Sequence, residues 1–388
     1  MATIFEDAKR LGGPLSVRER FRRTLHYQKV DRIPFFEFGY WDDTLPRWHT
    51  EGLPPEINNE GKAYAYFGIE GWGGVPANVQ LTGNPYEPET IEETDEYIVT
   101  RDGVGTIAQQ NKRRTHTIPH FIEYGIKSRE DWERFKPHLQ PTLEGRVNPS
   151  FYEKLADYLG AEHPICAPIG SMIGVPRNWL GFERCAMLAY DDPDLLDEIV
   201  ETLCQCVVVV LEELCSYVEF DFGAGWEDIC FNSGPLLSPA VFRETIAPHM
   251  EPVMKMLRQH GIDIIFTDCD GNIQALIPLW LGVGLNCMFP YEINAGNDVV
   301  QARKEFGRDL LMLGGFDKFA LLDSKEAVLA QFRRLEPVLE EGGFIPHIDH
   351  RCPDGVAFEM YQYYIREKLH FLGWAKDEVE QIPGLQAS

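Results

Sequence analysis

The chain lacks any long apolar segment and is poor in basic residues. No unbroken apolar run is longer than that of residues 206–211, which is far shorter than the roughly eighteen residues that a membrane-spanning helix needs. Only 36 lysines and arginines stand against 61 aspartates and glutamates, so the formal net charge is −25 at pH 7. DNA, RNA and anionic lipid surfaces would be repelled, and no cluster of basic residues offsets that repulsion. We therefore expect neither a nucleic acid nor a membrane as a partner.

The N-terminus also lacks the apolar core of a secretory signal peptide, because its first seven residues include Glu6 and Asp7. Cysteine occurs nine times, an odd number, and most of these residues stand in apolar surroundings. Free thiols explain this usage better than disulfide bonds, which are typical of secreted chains. The sequence therefore predicts a cytoplasmic protein with reduced cysteines.

Short apolar runs alternate with amphipathic segments through much of the chain. We interpret the runs as strands, at residues 33–38, 164–169, 217–222, 262–266, 284–288, 310–313 and 344–348. The amphipathic segments predict helices at residues 193–215, 239–260, 271–281, 299–306, 325–340 and 357–371. This alternation favours an α/β fold with a parallel sheet, specifically a TIM (β/α)8 barrel forming one domain over residues 1–388. A doubly wound open sheet is the alternative, which the lack of a glycine-rich turn after the first strand disfavours.

Residues 42–145 interrupt the alternation. They are rich in proline and aromatic residues, and Asp102-Gly103 between extended residues predicts a hairpin. We interpret the stretch as an N-terminal insertion that caps the barrel mouth, with an irregular loop of no function as the alternative. Its tryptophans, such as Trp41 and Trp72, either line a pocket for a flat substrate or belong to the core.

Acidic residues follow five successive predicted strands. In a TIM barrel the functional side chains stand at the carboxyl ends of the strands, so these positions are where a site is expected. The residues are Glu227 with Asp228, Asp268 with Asp270, Glu292, Asp317, and Asp349 followed by His350.

Asp268 and Asp270 are two residues apart, so their side chains leave the strand in the same direction. Together with the imidazole of His350 they suit a zinc ion, or a harder divalent ion if oxygen ligands dominate. The alternatives are a hydrogen-bond network, an acid–base pair of carboxylates with one raised pKa, or Asp270 as a helix cap. We interpret His347 as a structural residue and leave the role of Asp349 open.

These motifs, in their order and spacing, resemble the uroporphyrinogen decarboxylase-like family. The resemblance extends from about residue 16 to residue 373. The matching motifs are Arg18-Glu19-Arg20, Val30-Asp31-Arg32-Ile33-Pro34, Gly181-Phe182-Glu183, Tyr190-Asp191-Asp192-Pro193, Leu237-Ser238-Pro239, Asp268-Cys269-Asp270-Gly271-Asn272, Gly314-Gly315-Phe316-Asp317-Lys318 and Asp349-His350.

The resemblance implies a TIM barrel of one of two functional kinds. One kind decarboxylates the acetate side chains of a tetrapyrrole without a cofactor, using an arginine-rich segment after the first strand. Residues 35–41 of this chain, at the corresponding place, contain no arginine. The other kind transfers methyl groups to or from a corrinoid, using zinc on a His-x-Cys pair and a later cysteine. Those positions fall on Asp268 and Asp270 and close to His350.

The resemblance therefore implies a zinc-dependent methyltransferase that moves a methyl group from a methoxylated aromatic compound to the cobalt of a corrinoid partner protein. This O-demethylation would use Asp268, Asp270, His350 and Glu227 as metal ligands. Glu227, Asp270 and His350 would also act in catalysis, with Glu227 as an acid for the leaving oxygen. The alternatives are a cofactor-free decarboxylase of a small carboxylic acid and a non-catalytic barrel that binds a corrinoid or another ligand. The oligomeric state stays open.

Overall fold

The computed structural model describes residues 3–112 and 119–386. Its strands, in chain order, are β1 (Glu89–Glu93), β2 (Tyr97–Arg101), β3 (Ile107–Asn111), β4 (His120–Glu123), β5 (Cys166–Gly170), β6 (Phe222–Trp226), β7 (Cys230–Phe231), β8 (Gly234–Pro235), β9 (Ile265–Asp268), β10 (Cys287–Phe289), β11 (Leu311–Phe316) and β12 (Phe344–Ile348).

The helices, in chain order, are α1 (Val17–Leu25), α2 (Thr44–His49), α3 (Glu60–Phe67), α4 (Arg129–Phe135), α5 (Ser150–Glu153), α6 (Leu155–Leu159), α7 (Gly174–Leu180), α8 (Phe182–Asp191), α9 (Pro193–Cys215), α10 (Pro239–Val241), α11 (Ala247–Gln259), α12 (Ile277–Val283), α13 (Val299–Phe306), α14 (Ala320–Asp323), α15 (Lys325–Glu341), α16 (Phe358–Phe371) and α17 (Lys376–Glu380). A π-helical turn, Phe242–Ile246, joins α10 to α11. Within the described ranges, no helix has the length and apolar character needed to cross a membrane.

Six strands form one parallel sheet in the order β12, β11, β10, β9, β6, β5. Helices follow these strands along the chain, as the alternating pattern predicts. β11 and β12 are buried at every residue, which is typical of parallel strands covered on both faces. The sheet therefore supplies six adjacent members of a barrel wall.

Two extended segments near the N-terminus complete the wall. Tyr40 forms a parallel bridge with Cys352, just beyond β12, and Gly73 forms one with Ile165, just before β5. The amide of Glu70 donates to the carbonyl of Phe35 at 2.8 Å, which joins the two segments to each other. The predicted TIM barrel is confirmed. The predicted strand 33–38 lies in its wall but is irregular.

The predicted insertion 42–145 contributes to two parts of the molecule. Strands β1 to β4 form an antiparallel sheet in sequence order, and the turn 102–106 joins β2 to β3 at the place of the predicted hairpin. Residues 69–75 instead belong to the barrel wall, as the bridge from Gly73 shows. The helix α3, just before them, lies beside the barrel mouth.

The two largest corrections concern the residue at which an element begins. The strand predicted at 217–222 is β6, which begins only at Phe222, because Asp221 accepts a hydrogen bond from the amide of Ile165 through its side chain. The helix predicted at 271–281 is α12, which begins at Ile277. The amides of Gly271 and Ile273 donate to side chains of the neighbouring loop, so Asp270 caps no helix.

Candidate functional site

A cavity of about 550 Å³ opens at the carboxyl end of the barrel strands. Residues at the ends of β6, β9 and β10 form its floor, as expected for a site in this fold. Helix α3 and the segment that follows it supply one wall. The lining residues are Glu37, Phe38, Glu60, Tyr64, Glu70, Gly71, Trp72, Ala224, Gly225, Trp226, Phe266, Asp268, Phe289 and Arg351.

Aromatic rings form a continuous belt around the floor of the cavity. The ring centroids of Phe38 and Phe289 are 4.4 Å apart, those of Phe289 and Phe266 are 5.0 Å apart, and those of Phe266 and Trp72 are 6.1 Å apart. The rings meet at steep angles, an arrangement that aromatic pairs prefer. The belt therefore presents an apolar surface suited to a flat ligand.

Three carboxylates meet at this end of the barrel, and one of them, Asp268, lines the cavity. Asp228, Asp268 and Asp270 each offer an oxygen within 4.8 Å of the others. Pairing of β6 with β9 sets this arrangement, because Trp226 lies opposite Asp268 in the register. The amide of Asp270 also donates to Asp228 Oδ1 at 3.2 Å. Asp228 adopts a φ of 45°, a left-handed conformation that is uncommon outside glycine and turns its carboxylate to the cluster.

The charges of this cluster are poorly compensated by protein groups. Burial raises the pKa of Asp268 well above its usual value, and the neighbouring Asp228 and Asp270 raise it further. Burial likewise raises the pKa of Asp228. Asp270 Oδ1 is buried and has no hydrogen-bond partner among the described residues. Such a group of acids is suited to binding a cation.

His350 joins the cluster through one of its members. Its Nε2 lies 3.1 Å from Asp270 Oδ2. The imidazole stacks on Trp41, with the rings 15° apart in plane, and meets the edge of Phe38. These contacts fix the orientation of the ring, so His350 is placed either to bind an ion beside Asp270 or to orient that carboxylate.

Glu227 does not join the cluster. Its carboxylate accepts hydrogen bonds from the Ser171 hydroxyl and from the amides of Met172, Ile173 and Gly174, at 2.8–3.0 Å. Glu227 thus binds the loop that leads into α7. The neighbouring Asp228 stands in the cluster instead. The alternation of side chains along a strand indicates Asp228 as the cluster residue. Asp228 is two residues after Trp226, which lines the cavity, so the two side chains leave the strand in the same direction.

Glu227→Gln is expected to lower the free energy of unfolding by about 1–3 kcal/mol, because its NH2 group would face backbone N–H donors in a buried place. Urea unfolding followed by circular dichroism measures the loss. Glu212→Gln, at an exposed position on α9, is the matched control and should change little. Loss of a bound ion without loss of stability in Glu227→Gln would contradict this assignment.

Comparison with known proteins places the chain in a family. The family model "Uroporphyrinogen decarboxylase (URO-D)" matches residues 109–366, well over half of the chain. The chain belongs to the uroporphyrinogen decarboxylase family. A protein of Neisseria meningitidis serogroup C named "Uroporphyrinogen decarboxylase" is 27% identical over 161 residues, which cover 40% of this chain and 42% of that protein. A protein of the same name from serogroup A is 26% identical over 164 residues, again covering 40% and 42%.

The uroporphyrinogen decarboxylase family includes both decarboxylases and corrinoid methyltransferases. The chain spans less than half the length of the relatives described above, so their name alone does not assign its reaction. The acids that line the cavity differ in whether a basic residue neutralises them, which matters for the choice between decarboxylation and methyl transfer. Glu70 is paired with Arg32 at 2.7 Å and Glu60 with Arg351 at 2.8 Å, while Asp268 has no such partner among the described residues.

Two other polar residues at the end of β12, His347 and Asp349, contact other parts of the protein. Asp349 is fully buried and accepts hydrogen bonds from the amides of Ile293 and Lys318, at 2.8 and 3.0 Å, so it holds two loops together. His347 packs against Phe289, and burial lowers its pKa to about 3. Its imidazole is therefore neutral, which agrees with a structural role.

No cysteine joins the carboxylate cluster within the described ranges. All nine cysteines are free thiols, and Cys269, which separates Asp268 from Asp270, is buried. Burial raises the pKa of the Cys269 thiol well above its usual value, which disfavours the thiolate form that binds metals. The cluster thus consists of oxygen donors, with one imidazole beside them.

Proposed function

We propose that this protein is a methyltransferase that takes a methyl group from a methoxylated aromatic compound and delivers it to the cobalt of a partner corrinoid protein. One observation carries the proposal: three carboxylates meet at the carboxyl end of the barrel strands, and one of them, Asp268, lines an aromatic cavity. The nine free thiols support a cytoplasmic location.

The residues present fit a divalent metal ion. Three carboxylate oxygens lie within 4.8 Å of one another, and the unpartnered Asp270 Oδ1 is buried next to them. Asp228, Asp268 and Asp270 would hold the ion, and His350 would hold Asp270 or complete the ligand set. Zinc accepts such ligands, and so do magnesium and manganese, which prefer oxygen donors. A bound ion would supply a Lewis acid for the ether oxygen of the substrate.

The side chains around the cavity would position the substrate. The belt of Phe38, Phe289, Phe266 and Trp72 would hold a flat ring and exclude water from the reacting carbon. In the transfer, the bond between the methyl carbon and the ether oxygen breaks and the oxygen keeps its electron pair. The methyl carbon forms its new bond with Co(I) of the partner, and solvent protonates the product oxygen as it leaves. Glu227 takes no part, because Ser171 and three amides occupy its carboxylate.

The charge of the cavity opposes a substrate with many carboxylates. Four acidic side chains are among the lining residues, and Arg351 is the sole lysine or arginine among them. A tetrapyrrole with eight carboxylates would meet repulsion there, whereas a neutral or singly charged methoxyarene would not.

Decarboxylation of a small carboxylic acid is the second candidate. The name of the Neisseria meningitidis relatives favours it, and so does the raised pKa of Asp268, because burial and two neighbouring acids disfavour the charged form of that carboxyl. This reaction would release CO₂ without a corrinoid and would not respond to chelators.

Co(I) consumption is the direct test of the proposal. The protein, loaded with zinc, magnesium or manganese in turn, is mixed with cob(I)alamin and a panel of methoxyarenes under reducing conditions. We expect at least one methoxyarene to remove the Co(I) absorbance, with loss of the reaction after treatment with a chelator and recovery when the metal is restored.

A corrinoid protein from the same source can replace free cob(I)alamin if the free form reacts slowly. The demethylated phenol should appear in equal amount to the Co(I) consumed. Co(I) consumption that is indifferent to chelators would remove the metal ion from the mechanism, and CO₂ release without Co(I) consumption would overturn the methyltransferase assignment in favour of decarboxylation. Binding of methoxyarenes with neither reaction would indicate a non-catalytic barrel.

A further inference from the structure

Arg351 has unused hydrogen-bond donors that border the cavity. Its Nη1 donates to the Tyr40 carbonyl at 3.0 Å and to Glu60 Oε2 at 2.8 Å. In the described part of the chain, Nε and Nη2 take part in no hydrogen bond. The side chain is 37% exposed, and it is among the residues that line the cavity.

The free edge of this guanidinium has the geometry of a carboxylate site. Nε and Nη2 present two parallel N–H groups, which bind the two oxygens of a carboxylate side by side. Glu60 occupies the opposite corner and limits the rotation of the side chain. The guanidinium carbon lies 5.8 Å from the centroid of Phe38, a member of the aromatic belt. A carboxylate attached to a ring on the belt would therefore lie near Arg351.

Arg351 also borders the carboxylate cluster. It follows His350 directly in the chain, and it lines the same cavity as Asp268. One small molecule can therefore contact both Asp268 and Arg351.

We propose that Arg351 binds a carboxylate group of the substrate, so that the substrate class is the methoxylated aromatic monocarboxylates. This rests on the proposed function, and it adds the chemical group that the cavity recognises. A single arginine with one free edge matches one carboxylate. A neutral amide in place of the carboxylate would still fit beside Arg351. We therefore expect the amide to bind more weakly than the carboxylate but not to be excluded.

Isothermal titration calorimetry with 3-methoxybenzoate and 3-methoxybenzamide tests the assignment without any corrinoid. Arg351→Gln is expected to weaken binding of the benzoate by about tenfold or more, since a charge-assisted bidentate pair is lost. Binding of the benzamide should change by less than about twofold. Arg351→Lys should fall between, because it keeps the charge and loses the paired geometry. Arg333→Gln, at an exposed position on α15, is the control.

Glu60→Gln separates recognition from a structural role. It removes the carboxylate that competes for Arg351, so we expect tighter binding of 3-methoxybenzoate by a few-fold, opposite in sign to Arg351→Gln. If the Arg351–Glu60 pair served only to hold α3 against the barrel, both variants would weaken both ligands alike. Equal effects on benzoate and benzamide, or no selectivity for benzoate in the unmodified protein, would overturn the proposal.

Failure of this proposal differs from failure of the proposed function. Selective, Arg351-dependent binding of 3-methoxybenzoate without Co(I) consumption would support the carboxylate site and remove the methyl transfer. Co(I) consumption with anisole as fast as with 3-methoxybenzoate, unchanged in Arg351→Gln, would support methyl transfer and remove the carboxylate site.

Discussion

Asp270→Asn is expected to lower methyl transfer by more than about 100-fold, because it removes a carboxylate from the cluster that would hold the divalent ion. Asp270 Oδ2 contacts His350 and its buried Oδ1 has no partner among the described residues. The amide keeps the size of the side chain but replaces one ligand oxygen with an NH2 group, which cannot bind a cation. Metal content and the rate of Co(I) consumption measure the effect.

Stability distinguishes a metal site from a hydrogen-bond network at the same place. Three carboxylates within 4.8 Å repel each other, so without metal the free energy of unfolding of Asp270→Asn should equal or exceed that of the unmodified protein. If the cluster were instead a hydrogen-bond network, Asp270→Asn should have a lower free energy of unfolding than the unmodified protein. Asp157→Asn, at an exposed position on α6, is the control for removing one negative charge. Retained metal and retained methyl transfer in Asp270→Asn would remove the cluster from the mechanism.

Lys368→Met is expected to lower the free energy of unfolding by about 3–5 kcal/mol, because it leaves a buried carboxylate without its cation. Lys368 on α16 donates to Glu37 Oε1 and to the Phe36 carbonyl, both at 2.6 Å, and the side chains of Lys368 and Glu37 are each 1% exposed. Tyr364 donates to the same carboxylate oxygen at 2.8 Å. The pair joins the irregular wall segment 33–40 to the helix outside it. Urea unfolding measures the loss.

The double variant Glu37→Leu with Lys368→Met should recover most of that loss, since a matched apolar pair leaves no buried charge. Lys325→Met is the control, because its pair with Glu359 is exposed and contributes less than about 1 kcal/mol. A loss below about 1 kcal/mol in Lys368→Met would show that water or a local rearrangement compensates the carboxylate.

The sequence predicts two kinds of element well: a strand whose apolar run is buried on both faces, and a long helix with a regular amphipathic pattern. The predicted strand 344–348 coincides with β12, and the predicted helix 193–215 coincides with α9. The apolar residues Val218 and Phe220 are also buried, but they precede β6 rather than belong to it. Hydrophobicity reports burial, and only hydrogen bonding with neighbours decides whether a buried segment is a strand.

The site residues also divide into those that the sequence predicts and those that only tertiary contacts decide. Asp268, Asp270 and His350 come together as the spacing and the resemblance predict. Glu227 and Asp228 are adjacent acids in the sequence, and composition cannot decide between them. The loop before α7 needs an acceptor for its free amides, and Glu227 supplies it, so Asp228 is the residue that reaches the cluster. The role of Arg351 depends on Glu60, nearly three hundred residues away in the chain.

The sequence by itself determined the class of this protein: the parallel barrel, the lack of basic surface, and a concentration of acids where the strands end. These follow from local patterns, since burial, charge and strand ends are properties of neighbouring residues. Only the tertiary structure decided which acids meet, which side chain carries a free edge into the cavity, and how two irregular segments close the wall. Those outcomes depend on hydrogen bonds between distant segments, which no local pattern specifies.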